Sequence, residues 1–216
     1  MMKNYLVAIL IFMLFSCENS EKSNDSLPYL GRHDYQEKEV NGTLVTDTVY
    51  HTIADFSFVN QDSQVIDNDL TRGKVYVADF FFTSCPTICP VMKSQMLRVY
   101  EEYKDNSEFI ILSHTIDPEY DTVALLNDYA RRLGVSSNSW HFLTGNKEKI
   151  YDIGQNSYMV TAKEDENEPG GYLHSGAFVL VDQQGRIRGI YDGTVEEDVD
   201  KLINDIPILL EKKDQQ

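Results

Sequence analysis

The run DFFFTSCPTICP, residues 79–90, constrains the fold of this chain more than any other part of its sequence. An apolar strand ends here in two cysteines four residues apart, Cys85 and Cys89, and each is followed by proline. Both sulfurs are therefore expected where a strand passes into a helix. A helix that begins near Pro86 would place them about one turn apart on the same side. Because a helix N-terminus favours negative charge, both thiolates should be stabilised there.

Two convergent, acidic thiols can carry out redox chemistry or hold a soft metal ion. The alternative is a structural disulfide or a pair of buried thiols. A bridge across so short a loop would stabilise the fold by only ~2 kcal/mol in the loop-entropy model, and structural bridges usually link distant segments. The spacing of Cys85 and Cys89 therefore favours a redox or metal site.

The first residues indicate an export signal. Lys3 supplies a positive charge, and the apolar stretch 5–15 is too short to cross a bilayer. The stretch is followed by Ser16 and Cys17, and the resulting LFSC is similar to a bacterial lipoprotein signal, in which the cysteine becomes the lipidated first residue. An ordinary cleaved signal with an incidental cysteine is the alternative. We predict a signal peptide over residues 1–16 and a lipid-anchored domain that faces the periplasm of a bacterial cell envelope, an oxidising space.

Residues 17–50 are polar and charged and show no helical or strand period, which predicts a lipid-attachment site followed by a flexible tether. As a coil, this segment would reach about 30 Å on average. The remaining residues 51–216 have the size of one domain with its own core. The formal net charge of −16 argues against nucleic-acid binding and against electrostatic binding to anionic lipid. We expect a monomer.

Strand and helix patterns alternate downstream of residue 50. The predicted elements are a hairpin over 53–59 and 64–66, strands over 74–82, 109–113 and 140–143, helices over 86–104, 122–133 and 147–156, a loop over 163–171, a hairpin over 175–181 and 187–191, and a last helix over 194–210. Pro207 should bend or shorten the last helix. This order predicts an α/β fold in which helices flank a mixed sheet with an N-terminal hairpin. Cysteines at the carboxyl end of a central strand favour a thioredoxin-like fold.

Four motifs occur together along the chain. They are FFFTSCPTICP at 80–90, TIDP at 115–118, WHFLTG at 140–145, and His174-Ser175 ahead of a hairpin with Asp182 and Gly185 at its turn. With them, residues 50–211 resemble the Sco/SenC family, membrane-tethered, thioredoxin-like copper proteins of respiratory oxidase assembly. The family pattern is C-x-x-x-C-P with a distant histidine. The resemblance implies that Cys85, Cys89 and His174 bind copper, one ion per chain.

The residue types support this implication independently. Two thiolates and one imidazole are soft donors in low number, which suits Cu(I), and the nitrogen allows Cu(II) to be held as well. Zn²⁺ would accept the same ligands but normally seeks a fourth. His174 follows a glycine-rich loop, so it can swing relative to the cysteines, as a ligand of a transferred metal should. The alternative is a histidine that caps a strand edge.

Three further positions bear on the site. Family members often carry an aspartate directly before the ligand histidine, and here Leu173 stands in its place, which bears on metal affinity rather than on ligand identity. Asp117 matches a family aspartate that could contact a partner or steady its loop, although an Asp-Pro pair is also a common turn former. His114 is a candidate auxiliary ligand, but a hydrogen-bonded structural histidine is the favoured interpretation.

The resemblance implies a membrane-tethered protein, not itself an enzyme, that delivers copper to, or reduces the cysteines of, the binuclear copper site of a cytochrome c oxidase subunit. The alternative is a metal-independent thiol-disulfide oxidoreductase with a redox-active Cys85–Cys89 pair. Such reductases usually place proline where this chain has Leu173-His174-Ser175, and the nearest proline is Pro169. A peroxidase is a further alternative, but such enzymes use an arginine near the thiolate, which this sequence does not clearly provide. A lipoprotein with inert thiols is the remaining alternative.

Overall fold

The computed structural model describes residues 26–165 and 167–211, and of His174 it describes the backbone alone. The predicted signal peptide and Cys17 therefore lie outside the described residues. The strands are β1 Asp34–Val40, β2 Thr43–Val49, β3 Ser57–Asn60, β4 Val65–Asp67, β5 Val75–Phe81, β6 Phe109–Thr115, β7 Trp140–Thr144, β8 Ala162–Glu164, β9 Tyr172–His174, β10 Ala177–Val181 and β11 Ile187–Asp192. The helices are α1 Asn68–Thr71, α2 Cys89–Tyr103, α3 Val123–Leu133, α4 Lys147–Asp152, a π-helix Ile153–Ser157, and α5 Glu196–Leu210.

A seven-stranded mixed sheet in the order β11-β10-β5-β6-β7-β3-β4 forms the centre of the molecule. β5 and β6 are buried along their whole length and pair in parallel, as expected of nearly continuous apolar runs covered on both faces. The β10–β11 hairpin pairs antiparallel with β5. At the other side, β7 runs parallel to β6, and the β3–β4 hairpin joins β7 antiparallel. The predicted mixed sheet with an N-terminal hairpin is confirmed.

Alternation along β5 assigns two neighbouring residues to opposite layers of the molecule. Asp79 faces the layer of α2, where it lines a cavity together with Cys89 and Tyr129. Phe80 faces the other layer, where it contacts Tyr158 just beyond the π-helix at a ring-centroid distance of 5.7 Å. Helices therefore cover both faces of the sheet, and the cysteines belong to one of these layers.

The helix boundaries follow local signals. Thr122 caps α3, since its hydroxyl accepts the backbone N–H of Leu125, and Gly134 ends the helix in a left-handed conformation with φ 72°. Pro207 does not shorten the last helix, since α5 continues through this residue to Leu210, the predicted end. Among the described residues, no helix combines the length and the apolar character that a membrane span requires.

The tether prediction is wrong for residues 34–49. They form the antiparallel β1–β2 hairpin, whose strands are almost entirely exposed and pair only with each other. Short exposed strands bury no apolar face, so their hydrophobic pattern is weak. The residues just upstream are attached to the domain as well.

Leu27 to Leu30 dock onto β11. The backbone N–H of Leu30 donates to Ile187 at 2.9 Å, and the guanidinium of Arg188 donates to the carbonyl oxygens of Leu27 and Pro28. The ring of Tyr29 lies 4.1 Å from the guanidinium carbon of Arg188. Arg188 is itself 6% exposed and paired with the buried Asp182 at 3.0 Å. The folded body therefore begins upstream of the predicted boundary at residue 51.

Candidate metal centre

The cysteine loop, residues 82–89, connects β5 to α2. Its first turn is closed by the backbone N–H of Cys85, which donates to the carbonyl of Phe82 at 3.2 Å. The helix begins at Cys89 with Pro90 in its first turn, so the predicted start near Pro86 is wrong by three residues. Cys85 consequently lies ahead of the helix and Cys89 is its first residue. Both side chains are buried, with 8% and 6% exposure, and the pair is in the dithiol state.

The sulfur of Cys85 accepts hydrogen bonds from the start of the helix. Burial acts to raise the pKa of this thiol, but the backbone N–H groups of Cys89 and Thr87, the Thr87 hydroxyl at 3.6 Å and the Cys89 thiol together lower it below its usual value. The two sulfurs are therefore in contact. The predicted stabilisation of the thiolate agrees with the structure at Cys85.

Cys89 behaves in the opposite way. Burial is the largest influence and raises its pKa well above the usual value, against a hydrogen bond from the backbone of Phe82. The proximity of Cys85 and Asp79 raises it further. The predicted acidification of Cys89 is therefore wrong, because as the first helical residue it points into the core rather than along the exposed helix end. The pair combines one nucleophilic sulfur with one that retains its proton.

A buried carboxyl that sequence reasoning missed lies beneath Cys89. Asp79 is 5% exposed and lines a cavity of about 10 Å³ with Cys89, Lys93 and Tyr129. It accepts a hydrogen bond from the hydroxyl of Ser113, which in turn accepts one from the indole of Trp140 at 2.8 Å. Burial raises the pKa of Asp79 to about 7. A single charged residue inside an otherwise apolar strand was the available signal.

A second missed residue fixes the start of the cysteine loop. Asp121 is fully buried and accepts hydrogen bonds from the backbone N–H of Thr83 at 3.1 Å and from the hydroxyls of Thr83 and Thr115. It thereby ties the residue two before Cys85 to the end of β6. Its position four residues after Asp117, at the start of a predicted helix, was the only sequence signal.

The backbone brings His174 to the same place. His174 is the last residue of β9 and pairs with Ala162 of β8. A side chain placed on Gly170 would lie 3.0 Å from the ring of Phe82 and 3.2 Å from Pro86, and one on Gly176 would lie 4.0 Å from Ile88. The segment 170–176 therefore lies beside the cysteine loop.

Asp117 lies in the loop between β6 and α3. Its backbone N–H donates to the Thr115 hydroxyl at 3.0 Å, and its carboxylate accepts the N–H of Tyr120 at 3.4 Å, so it does shape the turn. Its carboxylate also lies close to the phenol of Tyr172, in the strand that carries His174; burial raises the pKa of that phenol, and the carboxylate raises it further. Asp117 thus steadies the loop and reaches the predicted site.

His114 is neither an auxiliary ligand nor a hydrogen-bonded structural residue. It is fully buried on the face of the sheet opposite Cys89, stacked on Phe80 at 5.0 Å and surrounded by Phe56, Phe58 and Tyr158. Neither ring nitrogen has a hydrogen-bond partner among the described residues, and burial lowers the pKa of its imidazole to about 3. The register of β6 with β5, which pairs His114 with Phe80, causes this placement.

The donors present fit a soft metal ion. Two sulfurs in contact, shielded from water and able to ionise in turn, are the ligands that Cu(I) prefers. Within the described side chains, which do not include that of His174, no group of three histidines, cysteines or acids could hold a metal. A hard cation therefore finds no oxygen-rich site in this part of the chain.

The comparisons with known proteins agree with this geometry. The SCO1/SenC family model matches residues 45–211. A SCO1/SenC family lipoprotein from Bacillus anthracis is 28% identical with a TM-score of 0.68, covering 74% of this chain and 95% of that one. BsSco, described as a member of the Sco family of cytochrome c oxidase assembly proteins with a disulfide switch, is 31% identical with a TM-score of 0.65, covering 74% and 93%. Arabidopsis thaliana ScoI with copper bound shares the fold at 24% identity and a TM-score of 0.59, covering 71% and 97%. The chain belongs to the SCO1/SenC family.

Proposed function

We propose that this protein is a membrane-tethered copper-binding protein that delivers copper to, or reduces the cysteines of, the binuclear copper site of a cytochrome c oxidase subunit. The observation that carries the proposal is the contact between the sulfurs of Cys85 and Cys89 in a loop beside which the His174 segment lies. BsSco supports the oxidase partner and ScoI supports the metal, each as a similar protein.

Copper loading places different demands on the two thiols. The lowered pKa of Cys85 supplies a thiolate for the first contact with the metal, whereas Cys89 must give up a proton that its burial retains. His174 would complete the ligand set. When bound, copper supplies a redox-active, thiolate-bound centre that can be passed to a partner with a matching site.

A metal-independent thiol-disulfide oxidoreductase remains a second candidate. The sulfur contact and the lowered pKa of Cys85 favour it, because a thiolate can attack a partner disulfide and form a mixed disulfide. The Cys89 thiol, losing its proton, then attacks the sulfur of Cys85. This releases the partner as a dithiol and leaves a Cys85–Cys89 disulfide. The disulfide switch named for BsSco is consistent with this chemistry in a relative.

Copper analysis of the reduced protein tests the proposal. One copper per chain is expected after loading and gel filtration, measured by elemental analysis. Cu(II) held by thiolate should give a strong sulfur-to-copper charge-transfer band. Binding should weaken at acidic pH, since protons compete for imidazole and thiolate. Protein that retains no copper at neutral pH would leave the oxidoreductase as the better explanation.

We also propose anchoring of the mature chain through a lipid on Cys17, on the strength of the LFSC sequence. Mass spectrometry of the mature protein should show diacylglycerol and a further acyl chain on this residue, because one chain alone binds a membrane only marginally. The Cys17→Ala variant should lose both the modification and the normal processing. A mature terminus downstream of Cys17 would contradict the anchor and leave the copper proposal intact.

A further inference from the structure

The strands that carry His174 have little support of their own. β8 and β9 contain three residues each and form a separate two-stranded sheet that does not pair with the central sheet. Such a hairpin is marginal in water without further packing. Among the described residues, two backbone hydrogen bonds extend it beyond the ladder, from Asp165 to Gly171 at 2.9 Å and from Ser175 to Thr161 at 3.0 Å, and both lie within the hairpin. Side-chain contacts must therefore hold it against the body of the protein.

Tyr172 supplies such contacts on three sides. Its ring centroid lies 5.0 Å from that of Phe82, and burial together with the nearby carboxylate of Asp117 raises the pKa of its phenol, which places the two groups close to each other. The ammonium of Lys147 lies 5.8 Å from the ring centroid and is also paired with Glu164, the residue opposite Tyr172 across the hairpin. Lys147 therefore contacts both strands from α4.

These contacts connect the His174 strand to the cysteines. Phe82 is the residue whose carbonyl closes the turn at Cys85, and its ring meets both Tyr172 and Gly170. Leu173, directly before His174, has an apolar side chain and cannot form a polar link. The proximity of Tyr172 to Asp117 lies one residue further from His174.

We propose that Tyr172 is the positioning residue of the centre, and that its stacking on Phe82 and the interaction of its hydroxyl with Asp117 hold the His174 strand against the cysteine loop. This inference deepens the proposed function and rests on it for the role of His174. The contacts themselves exist without metal, so they can be tested in metal-free protein.

Hydrogen exchange of the metal-free dithiol protein tests the contacts directly. Tyr172→Phe keeps the ring and removes the hydroxyl, and Asp117→Asn removes the charged acceptor. Each should speed exchange of the amides in residues 172–176 roughly tenfold, the effect expected when a polar interaction with a charged group is lost. The double variant should be no faster than either single variant, because both remove the same interaction. Tyr120→Phe, at an exposed tyrosine, is the matched control and should change nothing. Unchanged exchange in both single variants, or fully additive effects, would overturn the proposal.

Copper affinity, measured by competition with a Cu(I) chelator, then tests the positioning role. Tyr172→Phe should lower the affinity several-fold in the native chain and have no further effect in a His174→Ala background. An equal loss in both backgrounds would show a general structural role and overturn the assignment. If the native chain binds no copper, the proposed function fails, while the exchange experiment still decides whether Tyr172 holds the strand.

Discussion

Replacing His174 with alanine should abolish stable copper binding and leave the Cys85–Cys89 pair able to cycle between dithiol and disulfide. Losing one of three ligands should lower copper affinity by more than about 100-fold, beyond the 10- to 100-fold typical of residues that only support a ligand. The two sulfurs contact each other directly, so thiol chemistry should persist. Cys85→Ser and Cys89→Ser should remove both properties. Chelator competition measures the first property and thiol titration after mild oxidation measures the second.

Oxidase activity in cells separates the two proposed functions. Copper delivery predicts that His174→Ala lowers activity as severely as either cysteine variant. His33→Ala is the control, because this histidine contacts Tyr50, upstream of the central sheet and away from the cysteine loop. Near-normal oxidase in the His174→Ala strain, together with severe loss in the cysteine strains, would favour thiol reduction over copper delivery.

Replacing Asp79 with asparagine should stabilise the protein at pH 8 and destabilise it by about 1 to 3 kcal/mol near pH 4, where the native carboxyl costs little and the unpaired amide proton of the variant remains. Burial raises the pKa of this carboxyl from 3.8 to about 7, so the folded state retains a proton that the unfolded state has released. The stability linked to the protonated Asp79 carboxyl is therefore fully present below pH 4. As the pH rises to about 7, the free energy of unfolding falls by about 1.4 kcal/mol per pH unit. At pH 8 the buried carboxylate therefore lowers the free energy of unfolding of the native protein by about 4 kcal/mol. The asparagine variant avoids this cost, but its unpaired amide proton costs about 1 to 3 kcal/mol.

Urea denaturation of the dithiol protein at pH 4 and pH 8 measures this difference. A gain of about 1 to 3 kcal/mol at pH 8 is the expected outcome. Asp105→Asn, at an exposed aspartate, should leave the midpoint unchanged at both values. A lower midpoint for Asp79→Asn at pH 8 would show that the carboxylate is stabilised in the fold by groups other than Ser113. The native chain keeps this carboxyl beside Cys89 despite its cost, which is a pattern typical of functional sites.

The long apolar elements could be predicted from the sequence because each buries a continuous face. β5 and β6 agree with the predicted strands, and α3 agrees to within one residue. The β1–β2 and β8–β9 hairpins were missed because their strands pair only with each other and bury little. Alternation of apolar and polar residues, the usual signal of a strand, requires one buried face.

The cysteines and the position of His174 could be found from motifs, whereas their supports could not. Asp79 meets Ser113 through the parallel register of β5 and β6, across more than thirty positions of sequence. Asp121 reaches Thr83, and Tyr172 reaches Asp117, through loops whose paths no local pattern encodes. Sequence periodicity reports which face of an element is buried, but it does not report which residue of another element lies opposite.

The docked segment Leu27 to Leu30 and the cysteine loop lie at opposite ends of β5. Leu30 forms a bridge with Ile187, and Ile187 pairs with Val181, which lies opposite the start of β5. The cysteine loop follows the last residue of β5. The seven residues of β5 separate these ends by about 20 Å. In a chain anchored at Cys17, the ten residues to Leu27 span at most about 35 Å. The docked end would then lie no further than this from the bilayer, and the sulfurs lie at the opposite end of β5. The height at which a partner meets the sulfurs would therefore be limited by this short segment and the length of β5 together.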